Sequence, residues 1–439
     1  MPEINVGQRR KLEVEKAAAA LSAELKEWQR AASAQEELET HHSQIEAACA
    51  TLAALLDQLP GATPRQAAAI LQSGFRIWDF YRAKFAQRLD ARLSPFLNVA
   101  DQLAYDCYSA VGKALEKAPP LVVLTGASQP YVQKRQSPFI VEGVATQEGL
   151  AEAALAATAQ LPFPVIGLPW SQPSLLAGLT AIPHEVGHTV EDDLGLTPDL
   201  QSVFDTGNTR SSHWQRWQRE LFADSWGALC CGPAFALGLA DHLAPAKPWR
   251  EPIDPHKVYP PAWLRIRYSF RLARALWNNA ADWPAALTAR ITDWEAVYLE
   301  KEEDRPFLDD IDGIHSRLFA LSLPPLGFFA NLPLRFTPRQ HRTASDLATQ
   351  WLPPPSPPRL DVEKNMRVVV SAFRLAWDTD PVGVAARMAP SDVLREWMRP
   401  ATHPGLRSAI NVPAQTLQNR GKALSSWITG QLPEEVAEL

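Results

Sequence analysis

The chain has 439 residues, and 43 lysines and arginines against 49 aspartates and glutamates give it a formal net charge of −6. An apolar content of 46% with a charged content of 21% excludes a largely disordered chain, and the negative balance gives no electrostatic footprint for a nucleic-acid partner. Four cysteines are too few for a disulfide framework.

The cysteines, the N-terminus and the apolar runs predict where in the cell the protein is located. Cys230 and Cys231 are adjacent, which favours a reducing compartment. The N-terminus lacks the charged and then apolar pattern of a signal peptide, and no uninterrupted apolar run approaches the ~18 residues that a membrane span needs. The sequence therefore predicts a cytoplasmic protein with no membrane partner.

The first domain, residues 1–60, is predicted to be an N-terminal helical arm or hairpin. Residues 7–58 are rich in good helix formers and contain no proline. Large apolar residues are sparse at 31–42, so the pattern fits either one long helix or two antiparallel helices. A hairpin packed on the body is one alternative, and a coiled coil that binds a protein partner or dimerises is the other. We expect residues 1–58 to lie outside the main core.

A second helical region is predicted at 61–120. Thr63 and Pro64 are typical of a helix N-cap and first helical turn. Pro95 interrupts this helix, and a further helix is predicted to extend to about Lys117.

The hydrophobic pattern then changes to short β-type runs, which are predicted at 121–124, 139–141 and 163–167. An alanine-rich helix is predicted near 147–159. A small sheet of three or four strands is therefore expected just upstream of the most informative segment.

The last domain, 281–439, is predicted to be a C-terminal helical region. Residues 353–358 form a proline-rich spacer. A helical unit follows it, and its apolar face is formed by Val368, Val369, Phe373 and Trp377.

An H-E-x-x-H motif occupies residues 184–188. Side chains at i and i+4 share one helical face, so His184 and His188 can present imidazole nitrogens to one metal ion. Glu185 is rotated away from that direction and can hold a metal-activated water instead. The motif alone predicts a metal site and a general base.

A second motif, Glu220-Leu-Phe-Ala-Asp224, begins 32 residues after His188 on a largely apolar predicted helix. Two carboxylates on such a helix are costly to bury unless a positive group compensates them. A metal bound by Glu220, and a ligand imidazole held by Asp224, would provide that compensation. Two histidines and one glutamate are a standard ligand set for catalytic zinc.

H-E-x-x-H followed on a later helix by E-x-x-x-D resembles the gluzincin branch of zinc metallopeptidases. The resemblance implies one Zn²⁺ per chain, bound by His184, His188 and Glu220. It also implies that Glu185 is the general base and that Asp224 orients a zinc-binding histidine.

The resemblance covers about residues 160–270 and implies a zincin-like catalytic core, which we place at 121–280. In that family the peptide or protein substrate lies along an edge strand above the active-site helix. The metzincin pattern is not met, because no third histidine follows at its spacing. Pro183, which precedes the motif, requires that the helix either begins locally or bends there.

The third ligand has competitors in the sequence, which are Asp192, Asp193, Asp205, His213 and His256. A carboxylate at Asp192 has no partner in the sequence to orient it, and Asp205 and His213 lie in a loop-like stretch that positions a ligand less rigidly than a helix. The acidic run 191–193 is predicted to be a solvated helix end, and a second metal site is the alternative.

Further catalytic candidates lie in a segment that resembles the H-P-x-x-x-x-R stretch of HtpX-like gluzincins. His256 or Tyr259 could stabilise an oxyanion, and Arg265 could bind a substrate carbonyl or buttress a carboxylate. An ordinary proline-rich turn is the alternative.

We therefore predict a predominantly helical α+β protein with a zincin-like core and a small β-sheet, and we predict that it is a zinc-dependent metallopeptidase. Two other classes stay open: a metal-stabilised scaffold that binds partners, and a zinc hydrolase that acts on a non-peptide amide.

Overall fold

A computed structural model describes residues 6–34, 41–133, 163–244, 252–254, 256–277, 283–297, 304–350, 365–387 and short pieces between 414 and 426. The described residues are mainly helical, with one three-stranded and one two-stranded sheet, which confirms the predominantly helical α+β prediction. Within these residues, no helix has the length and apolar character that crossing a membrane requires.

The elements of the first half of the chain are α1 Val6–Ala34, α2 His42–Leu56, α3 Pro64–Ala86, α4 Ser94–Leu115, β1 Leu121–Thr125, β2 Tyr131–Gln133, β3 Val165–Pro169, α5 Ala181–Leu194, α6 Thr197–Val203 and α7 Ser211–Cys231. Those of the second half are α8 Pro233–Leu243, α9 Ala262–Ala275, α10 Ala285–Val297, α11 Arg305–Phe319, β4 Ser322–Leu323, β5 Gly327–Phe328, α12 Pro338–Gln350, α13 Met366–Thr379 and α14 Pro381–Arg387.

The described residues of the N-terminal region form two helices, α1 and α2, that pack on each other and on α3. The stretch 31–42, in which large apolar residues are sparse, includes the end of α1 and the start of α2. Leu21 of α1 is 0% exposed, and the Trp28 ring meets Trp78 of α3 edge-on with centroids 5.7 Å apart. These residues share a buried cluster with α3 and the sheet, whereas the larger cluster around the two motifs contains no described residue of α1 or α2. The expectation that residues 1–58 lie outside the main core therefore stays a prediction.

The three-stranded sheet has the order β1-β3-β2. Strand β1 is parallel to β3, with Leu121 opposite Val165, and β2 is antiparallel to β3, with Tyr131 opposite Gly167. The runs predicted at 121–124 and 163–167 are confirmed as β1 and β3, although β3 begins two residues later. The strand at 139–141 and the helix at 147–159 lie outside the described residues.

The two faces of the sheet contact different cores, because side chains alternate along a strand. Leu121 and Val123 face the cluster of α1, α2 and α3. Val122 and Leu124 face a larger cluster that includes residues of α4, α5 and α7. The sheet therefore separates the N-terminal helices from the helices that carry the H-E-x-x-H and E-x-x-x-D motifs.

The larger core also includes the C-terminal helix α13. Val369 and Phe373 belong to the same buried cluster as Val186 of α5 and Phe222 of α7. The proline-rich spacer at 353–358 lies outside the described residues. Helix α13 thus lies beside the helices that bear the two motifs.

Candidate metal centre

Helix α5 carries the H-E-x-x-H motif and begins locally. A 3₁₀ turn at Leu176–Thr180 precedes it, and Ala181 is its first residue. Pro183 therefore lies in the first turn, where a backbone N–H has no intrahelical partner and proline costs little. Of the two possibilities for Pro183, the local start is the one observed.

Helix α7 packs directly against α5 at Gly187. A Cβ atom on this glycine would lie 2.8 Å from Cα of Ala223 and 2.9 Å from Cβ of Trp226. A residue with a side chain would force the two helices apart. The glycine inside the motif is therefore what brings the histidines of α5 close to the carboxylates of α7.

His184, His188 and Glu220 meet where α5 and α7 cross. Nε2 of His184 lies 3.6 Å from one oxygen of Glu220, and Nε2 of His188 lies 3.5 Å from the other. One donor atom from each residue lies within 4.8 Å of the others, and the described residues contain no other such group of three. In a tetrahedral zinc site with ligand bonds of ~2.0–2.1 Å, donor atoms are about 3.3 Å apart. The triad is therefore a possible metal site.

Asp224 lies behind His184 and is 0% exposed. Its Oδ1 atom is 2.9 Å from Nδ1 of His184, which leaves Nε2 directed towards Glu220. Burial raises the pKa of Asp224, but Arg265 and His184 outweigh it and hold the pKa at about 2. A charged carboxylate here can orient a ligand imidazole.

Arg265 of α9 completes this arrangement. It donates from Nε to Oδ2 of Asp224 at 2.8 Å and from Nη2 to Oδ1 at 2.7 Å, and its Nη1 lies 3.2 Å from Glu220. Because all three guanidinium nitrogens contact carboxylates, Arg265 buttresses Asp224 and Glu220. This geometry favours the buttressing role of Arg265 over the alternative in which it binds a substrate carbonyl.

The two histidines differ electrostatically. Burial, together with His184 and Arg265, lowers the pKa of His188 well below its ordinary value, which keeps the imidazole neutral as a metal ligand must be. Burial also lowers the pKa of His184, but the contact with Asp224 outweighs it and raises that pKa. Both rings present Nε2 to Glu220, with centroids 4.8 Å apart.

Glu185 lines the same cavity and is buried. Burial raises the pKa of Glu185 to about 7. His184 partly opposes this rise, and the nearby Glu220 adds to it. A carboxylate whose pKa lies near neutrality is suited to accepting and returning a proton. A bound divalent cation would shift this balance towards the ionised form.

The triad forms part of the wall of a cleft of about 920 Å³. Tyr131 and Val132 of β2 line one side of it. Tyr259 lines the cleft and is 59% exposed, so this candidate lies at the cavity. His256 is exposed, and the residues that line the cleft do not include it, so its catalytic role stays a prediction that this geometry does not support. Its backbone N–H donates to Asp254 within the proline-rich turn.

The other competitors for the third ligand have their own contacts. Asp192 lies 3.2 Å from Arg219, and Asp193 lies 2.8 Å from Lys117. Asp205 accepts from the backbone of Gly207, and His213 packs its ring on Trp217 and Phe307. The observed triad includes none of them.

In the acidic run 191–193, Asp192 is exposed as predicted, but Glu191 and Asp193 are covered by other elements. Glu191 is 0% exposed and lies 3.4 Å from Arg219, and it also accepts from Thr197. Asp193 accepts from Tyr108 of α4 and pairs with Lys117. The prediction of a solvated helix end was therefore wrong for Glu191 and Asp193, because α4, α7 and the segment that follows α5 contact them.

Several residues of the cleft were not predicted. They come from the ends of α8 and α13 and are Asp241, His242, Arg374 and Trp377. Arg374 lies 2.6 Å from Asp241 and 3.4 Å from Asp378. Nothing in their spacing relates them to the motif, so the sequence contained no signal for them beyond the apolar face that includes Trp377.

No protein-family model matches the chain, and neither does any curated protein or solved structure with which it was compared.

Proposed function

We propose that this protein is a zinc-dependent peptidase of the gluzincin type. The observation that carries the proposal is the meeting of His184, His188 and Glu220 at one point, with Asp224 behind His184, in the wall of a large cleft. The donor set fits zinc, because two neutral imidazoles and one carboxylate are a standard set that leaves a position for water.

The chain's own residues then have distinct roles. Zinc, when bound, supplies a Lewis acid that acidifies water and polarises the carbonyl under attack. Glu185 accepts the proton of the attacking water and returns it to the leaving amine. Asp224 and Arg265 hold His184 and Glu220 in position.

Strand β2 supports a peptide as the substrate. It lines the cleft and lies at the edge of the sheet, and in the described part of the chain it pairs only with β3. An unpaired edge offers backbone donors and acceptors to an extended chain. A peptide that adds to this edge would lie over α5 and the triad.

The number of protein ligands favours an enzyme over a metal-stabilised scaffold. Structural zinc sites have four protein ligands and are closed, whereas this group has three and lines a cleft of about 920 Å³. A zinc hydrolase of a non-peptide amide would use the same residues, but it would not need the edge strand.

The test measures zinc content and peptide cleavage together. We expect about one zinc per chain, cleavage of a broad peptide library, loss of cleavage on chelation and its return with Zn²⁺. Glu185→Gln should keep its zinc and lose at least ~10²-fold in turnover. Glu13→Gln, which makes the same change at an exposed position of α1, is the matched control.

Other outcomes would contradict the proposal in different ways. Zinc binding without cleavage would favour the scaffold, and cleavage of small N-acyl amides alone would favour the non-peptide hydrolase. Wild-type turnover in Glu185→Gln would contradict the mechanism.

A further inference from the structure

A smaller cavity of about 110 Å³ adjoins the cleft. It is formed by the turns that precede α5 and by helices α13 and α14. Its wall consists of Ser174, Leu175, Leu176, Ala177, Phe373, Trp377, Val384 and Ala385. Leu175, Ala177 and Trp377 also line the main cleft, so the two cavities share a wall. We call the smaller cavity the side pocket.

Seven of the eight residues in the wall of the side pocket have apolar side chains, Ser174 is the eighth, and none is charged. Leu176, Phe373 and Val384 are buried, so its base is formed by hydrocarbon and an aromatic ring. A charged group placed here would lose its hydration without gaining a partner, whereas an apolar side chain would gain by leaving water. The main cleft differs, since charged residues such as Asp241 and Arg374 line it.

The shared wall is held in a fixed position relative to the metal centre. The 3₁₀ turn Leu176–Thr180 continues directly into α5, and it packs against α13. The side chain of Gln172 donates to the carbonyl oxygen of Leu175 at 2.8 Å. This hydrogen bond fixes the backbone of Leu175 in the shared wall. A group in the side pocket would therefore lie at a defined position relative to His184 and Glu185.

From this continuity we infer that the side pocket is a specificity pocket, which binds one apolar side chain of a peptide whose backbone lies in the main cleft. The inference rests on the proposed peptidase function. The occupant is a branched aliphatic or aromatic side chain at one fixed position relative to the cleaved bond. Discrimination by a hydrophobic pocket of this kind is worth ~10–200-fold in kcat/KM.

The experiment maps cleavage sites in a peptide library with the zinc-loaded, full-length protein. Leu, Phe, Ala, Asp and Lys are varied at each position around the cleaved bond. We expect one position where Leu or Phe exceeds Ala and Asp by about tenfold or more in kcat/KM. Ala385→Leu narrows the pocket from α14, and Ala386→Leu is the matched control, because Ala386 is exposed on the same helix and outside the wall.

Ala385→Leu should lower kcat/KM for the Leu and Phe peptides by about tenfold and change that for the Ala peptide less than about twofold. Ser174→Leu narrows the pocket from the opposite wall, with Ser171→Leu as its control, and serves if the first variant loses zinc or stability. Binding of uncleaved peptides to Glu185→Gln, measured by calorimetry, should show the same order.

Cleavage without an apolar preference at any position would overturn the inference and leave the peptidase assignment standing. A preference that both narrowing variants leave unchanged would also overturn it. A library in which zinc-loaded protein cleaves nothing would overturn the proposed function, and the inference with it.

Discussion

Arg265 donates to both carboxylate oxygens of Asp224, at 2.8 Å and 2.7 Å, and both residues are buried. Asp224 in turn lies 2.9 Å from His184. The candidate metal ligands are thus supported by a buried ion pair that joins α9 to α7. Removing one partner of such a pair leaves an uncompensated buried charge.

Arg265→Gln should therefore weaken zinc binding before any substrate is present. We expect a ~10–100-fold loss of zinc affinity and a loss of about 3–5 kcal/mol in the free energy of unfolding. Chelator competition and denaturant unfolding measure the two effects. Arg271→Gln, on the same helix but about half exposed, should change neither greatly. Normal zinc affinity with a raised KM alone would instead show a substrate-binding arginine.

Graded effects are expected for the third ligand and the residue behind it. Glu220→Ala removes a donor from the triad and should lose stoichiometric zinc. Asp224→Asn keeps the shape but loses the charge beside His184, and it should weaken metal affinity or activity ~10–100-fold. Zinc content measured by atomic spectroscopy distinguishes the loss expected for Glu220→Ala from the weaker effect expected for Asp224→Asn.

His213→Ala is the control for Glu220→Ala, since His213 packs on Trp217 and Phe307 outside the triad. It should retain zinc. Retention of zinc by Glu220→Ala together with its loss in His213→Ala or Asp192→Ala would show that the third ligand has been assigned wrongly.

Gly187→Ala tests the close packing of α5 on α7. The added Cβ would meet backbone of Ala223 and Cβ of Trp226, neither of which can rotate away. We expect a loss of about 1–3 kcal/mol in the free energy of unfolding and weaker zinc binding, although alanine is the better helix former. Gly61→Ala is the control, because a Cβ there would meet nothing within 4 Å. A Gly187→Ala protein more stable than wild type would contradict the packing argument.

His315 makes the unfolding free energy depend on pH. It is 2% exposed, neither ring nitrogen has a hydrogen-bond partner among the described residues, and burial with Arg271 lowers its pKa from 6.5 to about 3. Between these two values the unfolded chain binds a proton that the folded protein does not. The free energy of unfolding therefore falls as the pH is lowered through this window, by up to ~1.4 kcal/mol per pH unit from this group.

His315→Phe should remove that contribution, because phenylalanine does not titrate and fits a site lined by Tyr268 and Phe319. Its free energy of unfolding should vary less steeply than that of wild type between pH 6.5 and 3, and with the same slope above pH 7. Denaturant titrations across this range measure the slopes, with His256→Phe at an exposed position as the control. Equal slopes for wild type and His315→Phe below pH 6.5 would show that His315 titrates normally.

Features that depend on neighbours along the chain were predictable. The i, i+4 spacing of a helix alone places His184 and His188 on one face, and the same spacing relates Glu220 to Asp224. Short runs of apolar residues, several of them β-branched, likewise indicated β1 and β3. Strand β2 has only three residues, which is too short for any period to be recognised.

Which distant elements meet was decided by the tertiary structure. The distance from α5 to α7 depends on Gly187 lying against Ala223, and no local pattern shows which surface a glycine will contact. Arg265 could have bound substrate or carboxylate, and only the packing of α9 against α7 decided between them. The charge of Glu191 predicted a solvated residue, but Glu191 is buried. The sequence does not show which elements of the fold will cover it. Local periodicity follows from the backbone of one segment, but burial and site geometry follow from surfaces that come together only when the whole chain packs.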